Sequence, residues 1–355
     1  MLIGWQPNSK DFSHPADRRK LLFFLDKKGL QYEIAQYEKH YEVLYLSLGI
    51  DLGKWANYKS DQLLRNKNTR VVFDLSDSYL KSGFISDRVR PLYHFLVGRT
   101  SSLDWSYKTT LIKMMSSADV VVCGSVEQKT ILDSYHENVV VIRDYFGKDI
   151  RLEKLSYEMV RSGELHLLWE GFSHGNKRVF YMLRDVLEKI KGLKIHLHVI
   201  TDQEYCSIGA KHFCKSTYAV LNKIFSNSLV QFHLYDWSPV TFSSIATSCD
   251  IALIPIPDDP IMYHKPENKL LLLWSLGVPV ITSSTPSYSR VFSNIGENML
   301  CKTKLEWTKK ITELISTKYR REEYMSAAFV YLKEHCTDEV IMKSWEHVLF
   351  GDSQK

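Results

Sequence analysis

The chain has no uninterrupted apolar run near the roughly 18 residues that a membrane-crossing helix needs, so a spanning bundle is not expected. It also lacks any CxxC pair. Its six cysteines, Cys123, Cys206, Cys214, Cys249, Cys301 and Cys336, stand singly, mostly in apolar or amphipathic stretches. No zinc pattern is visible, and reduced core thiols of a cytoplasmic protein are expected. The opening residues, MLIGWQPNSKDF, carry neither a basic segment nor an apolar one behind it, and do not read as a signal peptide. The first loop, 6–14, has no GxGxxG turn, which argues against a dinucleotide-dependent dehydrogenase. No paired DxD motif falls on a loop suited to a metal-bound diphosphate.

What is present is ordinary for a folded body. At 355 residues the chain is long for one domain and comfortable for two, each able to bury its own core. Hydrophobic residues at 45% and charged residues at 25% exclude disorder and fibrous repeats. The formal charge of +5 is mildly basic and suits anionic ligands such as nucleotide phosphates, or an acidic membrane surface. No nucleic-acid partner is expected.

Short apolar runs alternate with helical patterns throughout, the signature of βαβ units and a parallel sheet. In the first half strands are expected at 2–5, 32–35, 43–47, 71–75, 120–123 and 139–142. A helix is expected from about 14 to 28, stopping at Gly29, where a C-cap glycine belongs. Residues 151–164 are polar and unpatterned, which sets a boundary between a first domain, 1–150, and a second, 165–335. There the pattern restarts, with strands at 165–169, 195–200, 230–234, 251–255 and 278–282 and helices at 179–191, 218–225, 240–248 and 269–276. Residues 305–349 are largely helical with one apolar face, and a last helix within 336–355 either covers the sheet or returns to the first domain.

In open parallel sheets ligands bind beyond the carboxyl ends of strands, against helix N-termini. The loop after Trp169 holds Gly171, Ser173 and Gly175, then Lys177 and Arg178 at the start of the next helix. That arrangement suits a diphosphate, and equally a solvated turn. The loop after the strand IALIPIP is richer: Asp258, Asp259 and Pro260, then His264, Lys265, Pro266, Glu267, Asn268 and Lys269, an amphipathic helix, and Gly277-Val-Pro-Val280 followed by Ser283 and Ser284. Asp258 and Asp259 read as a solvated turn rather than a metal site. Lys265 and Lys269 would be disfavoured by the helix dipole in the absence of an anion, which favours a ligand there.

Residues 249–284 resemble the donor-binding segment of group 1, family 4-like GT-B glycosyltransferases, especially the branch with a K-S-x-N-K-type cluster, matched by Lys265-Pro-Glu-Asn-Lys269. Residues 118–125 with Glu127, Gln128 and Arg143 are similar to the last β-α-β of the N-terminal domain of that family, and Leu168-Trp-Glu-Gly171 to the first strand of its C-terminal domain. The resemblance implies an α/β GT-B fold, two Rossmann-like domains facing each other across a cleft. It also implies transfer of a sugar from a nucleotide-sugar donor to a saccharide or lipid-linked acceptor in cell-envelope polysaccharide or glycolipid synthesis. Such transfer is expected to be retaining, with no metal and no cofactor, the nucleotide-sugar being a substrate. Gly171, Ser173, Lys177, Arg178, His264, Lys265, Asn268, Lys269, Ser283 and Ser284 would hold the donor. Many of these enzymes carry two glutamates separated by seven residues, the second five before the Gly of Gly-x-Pro-Val. Here those positions hold His264 and Leu272, and Glu267 is the carboxylate that could act from a neighbouring turn. A nucleotide-sugar epimerase and a non-catalytic nucleotide-sugar-binding protein share the fold and stay open.

On the acceptor side, an inverting reaction would need a base, and His14 or Asp77 could serve. Asp77 also suits a helix N-cap, and His14 a plain loop. Residues 86–115 interleave Arg88, Arg90, Arg99, Lys108 and Lys113 with Tyr93, Phe95, Trp105 and Tyr107, a composition that suits either an interfacial helix on anionic lipid at the inner face of a membrane or a helical excursion packed on its own domain.

Overall fold

A computed structural model describes residues 2–65, 67–147, 149–159, 161–173, 175–206 and 214–351. The chain separates into two compact units. Unit 1 is the chain up to Tyr145, with His264–Pro266 and the residues from Cys336 onward; unit 2 is Phe146–Tyr263 with Glu267–His335.

Unit 1 contains β1 (Leu2–Gln6), β2 (Gln31–Ile34), β3 (Val43–Ser47), β4 (Arg70–Asp74), β5 (Val120–Cys123) and β6 (Val139–Val141), in the order β2-β1-β3-β4-β5-β6 and parallel throughout. Parallel strands covered on both faces read as continuous apolar runs, which is why VLYLS and VVVC are buried along their whole length. One core gathers Leu44, Leu46, Phe73, Val121, Leu111 and Met114; the other gathers Trp5, Tyr45, Val72, Leu21, Phe24 and Trp345. Trp345 comes from the last helix, Asp338–Phe350, which Arg70 ties down by donating from Nε to the Val348 carbonyl at 2.8 Å. Gly4 is fixed by close approach, since a Cβ there would sit 2.5 Å from the Tyr41 ring.

The helix expected over 14–28 is two helices, Pro15–Arg18 and Leu21–Lys28. Lys20 breaks it, with φ −117° and ψ −103°, because its side chain turns inward to Asp74. Gly29 closes the second helix in the left-handed conformation, φ 62°.

Unit 2 contains β7 (Glu164–Glu170), β8 (Lys194–Ile200), β9 (Glu204–Cys206), β10 (Cys214–Ser216), β11 (Val230–Tyr235), β12 (Ile251–Ile254), β13 (Val280–Ser283) and β14 (Leu300–Cys301). The large sheet, β11-β8-β7-β12-β13-β14, is parallel; β9 and β10 form a separate antiparallel pair. This pair and β14 were not expected, being too short to show a period. The antiparallel register sets Cys214 opposite Cys206, and Cys214 is disulfide-bonded, which corrects the reading of all six cysteines as reduced. Cys123, Cys249 and Cys301 are buried thiols.

Most described residues of the polar stretch 151–164 are exposed, but two of them tie it to unit 2. Lys154 donates its backbone N–H to the Leu276 carbonyl and its ammonium to the carbonyls of Thr247 and Cys249, at and just beyond the end of helix Pro239–Thr247. Arg321, 2% exposed, donates to the Tyr157 carbonyl. Lys154 thus satisfies carbonyls that a helix terminus leaves open, and Arg321 holds the loop carbonyl of Tyr157. Among the described residues no helix is long and apolar enough to cross a membrane.

Candidate functional site

In unit 2 the chain winds from β7 outward to β8 and β11 on one side and to β12, β13 and β14 on the other. The strand order therefore reverses between β7 and β12, and the crevice at their carboxyl ends is where an open α/β sheet binds ligands. Loops leaving β7, β12 and β13 there feed the helices Lys177–Leu187, Asn268–Ser275 and Pro286–Asn294.

Glu170 ends β7, and Gly171 follows with φ +155°. A Cβ on Gly171 would lie 3.0 Å from the Lys269 ammonium, so the glycine leaves room for that side chain to reach the strand end. Lys269 Nζ donates to the Glu170 carbonyl at 2.5 Å and lies 3.2 Å from Glu170 Oε2. Glu267, wholly buried, precedes the helix Asn268–Ser275 without capping it; its Oε1 accepts from Arg290 Nη2 at 2.7 Å. The Tyr288 phenol is pushed well up, first by burial and then by the carboxylates of Glu267 and Glu170. Asn268 carries a buried Oδ1 with no hydrogen-bond partner among the described residues.

The remaining donor candidates of unit 2 are placed as follows. Ser173 is fully buried and gives both its N–H and its hydroxyl to Asp202, at 2.7 and 2.6 Å. Burial alone would raise the Asp202 pKa, but those bonds bring it below the usual carboxylate value. Lys177 and Arg178 are exposed in the first turn of their helix, where the dipole disfavours cations unless an anion joins them. Ser283 Oγ accepts from the Ile256 N–H at 2.9 Å, and Ser284 donates its N–H to Cys301 at 3.0 Å. His174 lies outside the described residues.

The run 265–269 is divided. His264 and Lys265 belong to unit 1, where Lys265 Nζ lies 3.4 Å from Asp77 Oδ1 and the His264 carbonyl accepts from Ser78 Oγ at 3.0 Å. Burial, and then Lys81, lowers the His264 pKa. Gly124 admits this segment, since a Cβ there would come within 2.8 Å of the Pro266 ring. Asp77 caps no helix; Ser78 precedes the short turn Tyr79–Lys81. His14 is exposed at the N-cap of Pro15–Arg18, its Nδ1 accepting from the Ala16 N–H at 3.2 Å.

Sequence reasoning did not single out Glu170, Arg290 or Lys20. Lys20 and Asp74 form a buried pair at 2.7 Å, with the Tyr45 hydroxyl donating to the second Asp74 oxygen at 2.7 Å. Burial pulls the Lys20 pKa down, but the Asp74 and Asp144 carboxylates outweigh it and hold the amine above its usual value. A lone lysine inside a helical pattern gives no sign of this.

Two six-stranded parallel sheets, each wound to both sides of its first strand, define the GT-B architecture. No family model and no curated protein matches the sequence. Solved structures match in fold. A glycosyltransferase from Rickettsia africae ESF-5 is 10% identical with a TM-score of 0.60, over 99% of this chain and 99% of that one. WaaG, a glycosyltransferase involved in lipopolysaccharide biosynthesis, is 11% identical with a TM-score of 0.58, over 99% and 100%. A mutant of S. aureus TarM in complex with fondaparinux, alpha-GlcNAc-glycerol and UDP is 13% identical with a TM-score of 0.53, over 87% of this chain. The chain spans about half the length of TarM, 54–55% in two structures. At such identities the likeness establishes the fold.

Proposed function

We propose that the chain is a glycosyltransferase that binds a nucleotide-sugar donor at the carboxyl ends of β7, β12 and β13. The observation that carries this reading is the pair of ion pairs Glu170–Lys269 and Glu267–Arg290, partly buried and with Glu267 wholly so, at the point where the strand order reverses. When the bond from the anomeric carbon to the phosphate oxygen breaks, negative charge develops on the departing diphosphate. Preorganised ammonium, guanidinium and backbone N–H groups stabilise that charge. Lys269 is aimed from the strand end, Lys177 and Arg178 lie on the adjoining helix N-terminus, and no metal is needed for the same work. The UDP and saccharide-glycerol in the TarM complex support a nucleotide donor and a saccharide acceptor here. The test is thermal stabilisation by UDP, GDP, ADP and CMP sugars, followed by donor turnover. One nucleotide class is expected to raise the unfolding temperature by about 5 °C at saturation; no shift with any of them would remove the donor site.

The acceptor side of the proposal is an envelope saccharide or glycolipid met at an anionic membrane surface, with retention of anomeric configuration. Helix Phe84–Leu96 of unit 1 is inverted relative to an ordinary surface helix. It buries Asp87, which accepts from Ser106 Oγ and Lys108 N–H, and exposes Ile85, Val89, Leu92 and Leu96 on one stripe, 76%, 55%, 46% and 73% accessible. Trp105 is 81% exposed beside it, its carbonyl accepting from Arg88. Burying each aliphatic side chain in the headgroup boundary is worth about 1.5–3 kcal/mol. The protein is expected to float with anionic vesicles, and serine at Ile85, Leu92 and Leu96 together to release it. Absence of flotation at low salt would sink the membrane part and leave the donor site standing.

A further inference from the structure

At the amino end of β7, opposite the end discussed so far, the sheet carries a ladder of imidazoles. The parallel register pairs His166 with His196 and His198 with His233, and the same face holds Glu164 and Tyr235. The His166 and His196 rings stack with centroids 4.7 Å apart and planes within 6°. Each uses its Nδ1 on a second histidine at 2.9 Å: His166 with His198 Nε2, and His196 with His233 Nε2. His198 Nδ1 in turn meets the Tyr235 hydroxyl at 3.1 Å.

That pattern leaves the two Nε2 atoms pointing the same way, toward Glu164. His166 Nε2 is 3.3 Å from Glu164 Oε2 and His196 Nε2 is 3.8 Å from it, and all three atoms lie within 4.8 Å of one another. His196 is only 7% exposed, and its Nε2 has no hydrogen-bond partner among the described residues. A buried, open imidazole nitrogen facing a carboxylate and a second imidazole is an unfinished coordination set.

We propose that Glu164, His166 and His196 bind a zinc-type divalent cation, with His198 and His233 orienting the two ligand rings from behind. Two imidazoles and one carboxylate are a zinc donor set, with water completing the fourth position. A tetrahedral ion at ~2.0–2.2 Å places its ligand atoms ~3.3–3.6 Å apart; the Nε2 atoms stand 3.3 and 3.8 Å from Glu164 Oε2, and the stacked rings need to turn toward each other to aim both nitrogens at one ion. Ligating histidines hold their orientation by bonding through the other ring nitrogen, and both do so here. Binding through Nε2 requires each ring to carry its proton on Nδ1 and donate it backward. The chain His166, His198, Tyr235 can reverse its tautomers to allow this without any net proton loss. Arg161 and Lys194 lie 3.8 Å from Glu164, but both are largely exposed and can swing into water when a cation enters.

The ion would clamp the starts of β7 and β8. Glu164 and Glu170 are six residues apart on one strand, ~20 Å at the usual rise, so this site is independent of the donor proposal and of whether sugar transfer itself uses a metal. A spacing motif could not reveal it, because the parallel register, not local sequence, brings His166 and His196 together.

The test uses the full chain stripped with a chelator and titrated with zinc chloride in a competition assay. One equivalent is expected to bind at micromolar affinity or tighter and to raise the unfolding temperature by about 5 °C, with chelator reversing both. His166→Gln and Glu164→Gln are expected to weaken binding at least 100-fold. Cobalt(II) added to the wild-type chain is expected to give the intense visible bands of a four- or five-coordinate site, a readout that does not depend on any variant folding. Several weak equivalents unaffected by the variants, or a pale six-coordinate cobalt spectrum, would overturn the proposal and leave the ladder as a hydrogen-bonded structural stack.

Discussion

Lys269→Ala is expected to lower donor turnover about 100- to 1,000-fold and to abolish the thermal shift conferred by the donor, because it deletes a preorganised cation at the developing diphosphate charge. The fold is expected to persist. Lys269 donates to the Glu170 carbonyl and pairs with the Glu170 carboxylate, and its side chain is 34% exposed, so no large cavity opens. The carboxylate left behind is 15% exposed and has limited access to water. Glu170→Gln in the same chain should therefore restore whatever stability Lys269→Ala loses, without restoring turnover. That split between stability and turnover is what a merely structural lysine would fail to show. Lys265→Ala is the informative comparison, since Lys265 pairs with Asp77 in unit 1 while Lys269 pairs with Glu170 in unit 2. Wild-type turnover in Lys269→Ala would remove the cation from the proposed chemistry.

The division of the run 265–269 shows where sequence reading stops. Strands such as Val43–Ser47 and Val120–Cys123 were legible because burial on both faces demands apolar residues at every position. Gly171 and Lys269 stood out because strand-end loops are where an open parallel sheet binds ligands, and the structure brings the two together at the end of β7. Lys265 and Lys269 are neighbours in sequence, but their partners are not: Lys265 pairs with Asp77, and Pro266 beside it packs against Gly124, contacts that no local pattern announces. The break at Lys20 was invisible, because lysine suits a helix interior and only its pairing with Asp74, 54 residues away, turns the backbone. Arg290 was missed for a related reason. Its partner Glu267 lies 23 residues earlier, just before the start of a different helix, and no local pattern records such a pair.

That pair sets the second large expectation. Glu267→Ala should destabilise unit 2 by about 3–5 kcal/mol, the usual consequence of removing one member of a buried ion pair and stranding the other. Glu267 is wholly buried and Arg290 only 23% exposed, so water cannot replace the carboxylate without reorganising the helices Asn268–Ser275 and Pro286–Asn294. Hydrogen exchange in those two helices would localise the loss, which matters because a chain of two units need not unfold in one step. Glu267→Gln keeps an acceptor for Arg290 and should lose less. The double variant Glu267→Ala with Arg290→Met should recover most of the stability, because removing both charges eliminates the desolvation penalty along with the attraction. If the double variant is as unstable as Glu267→Ala alone, the glutamate supports the helix start by packing and not through its charge. If it is stable yet no longer turns over donor, the pair is retained for the chemistry at the strand ends, since stability alone would not require it.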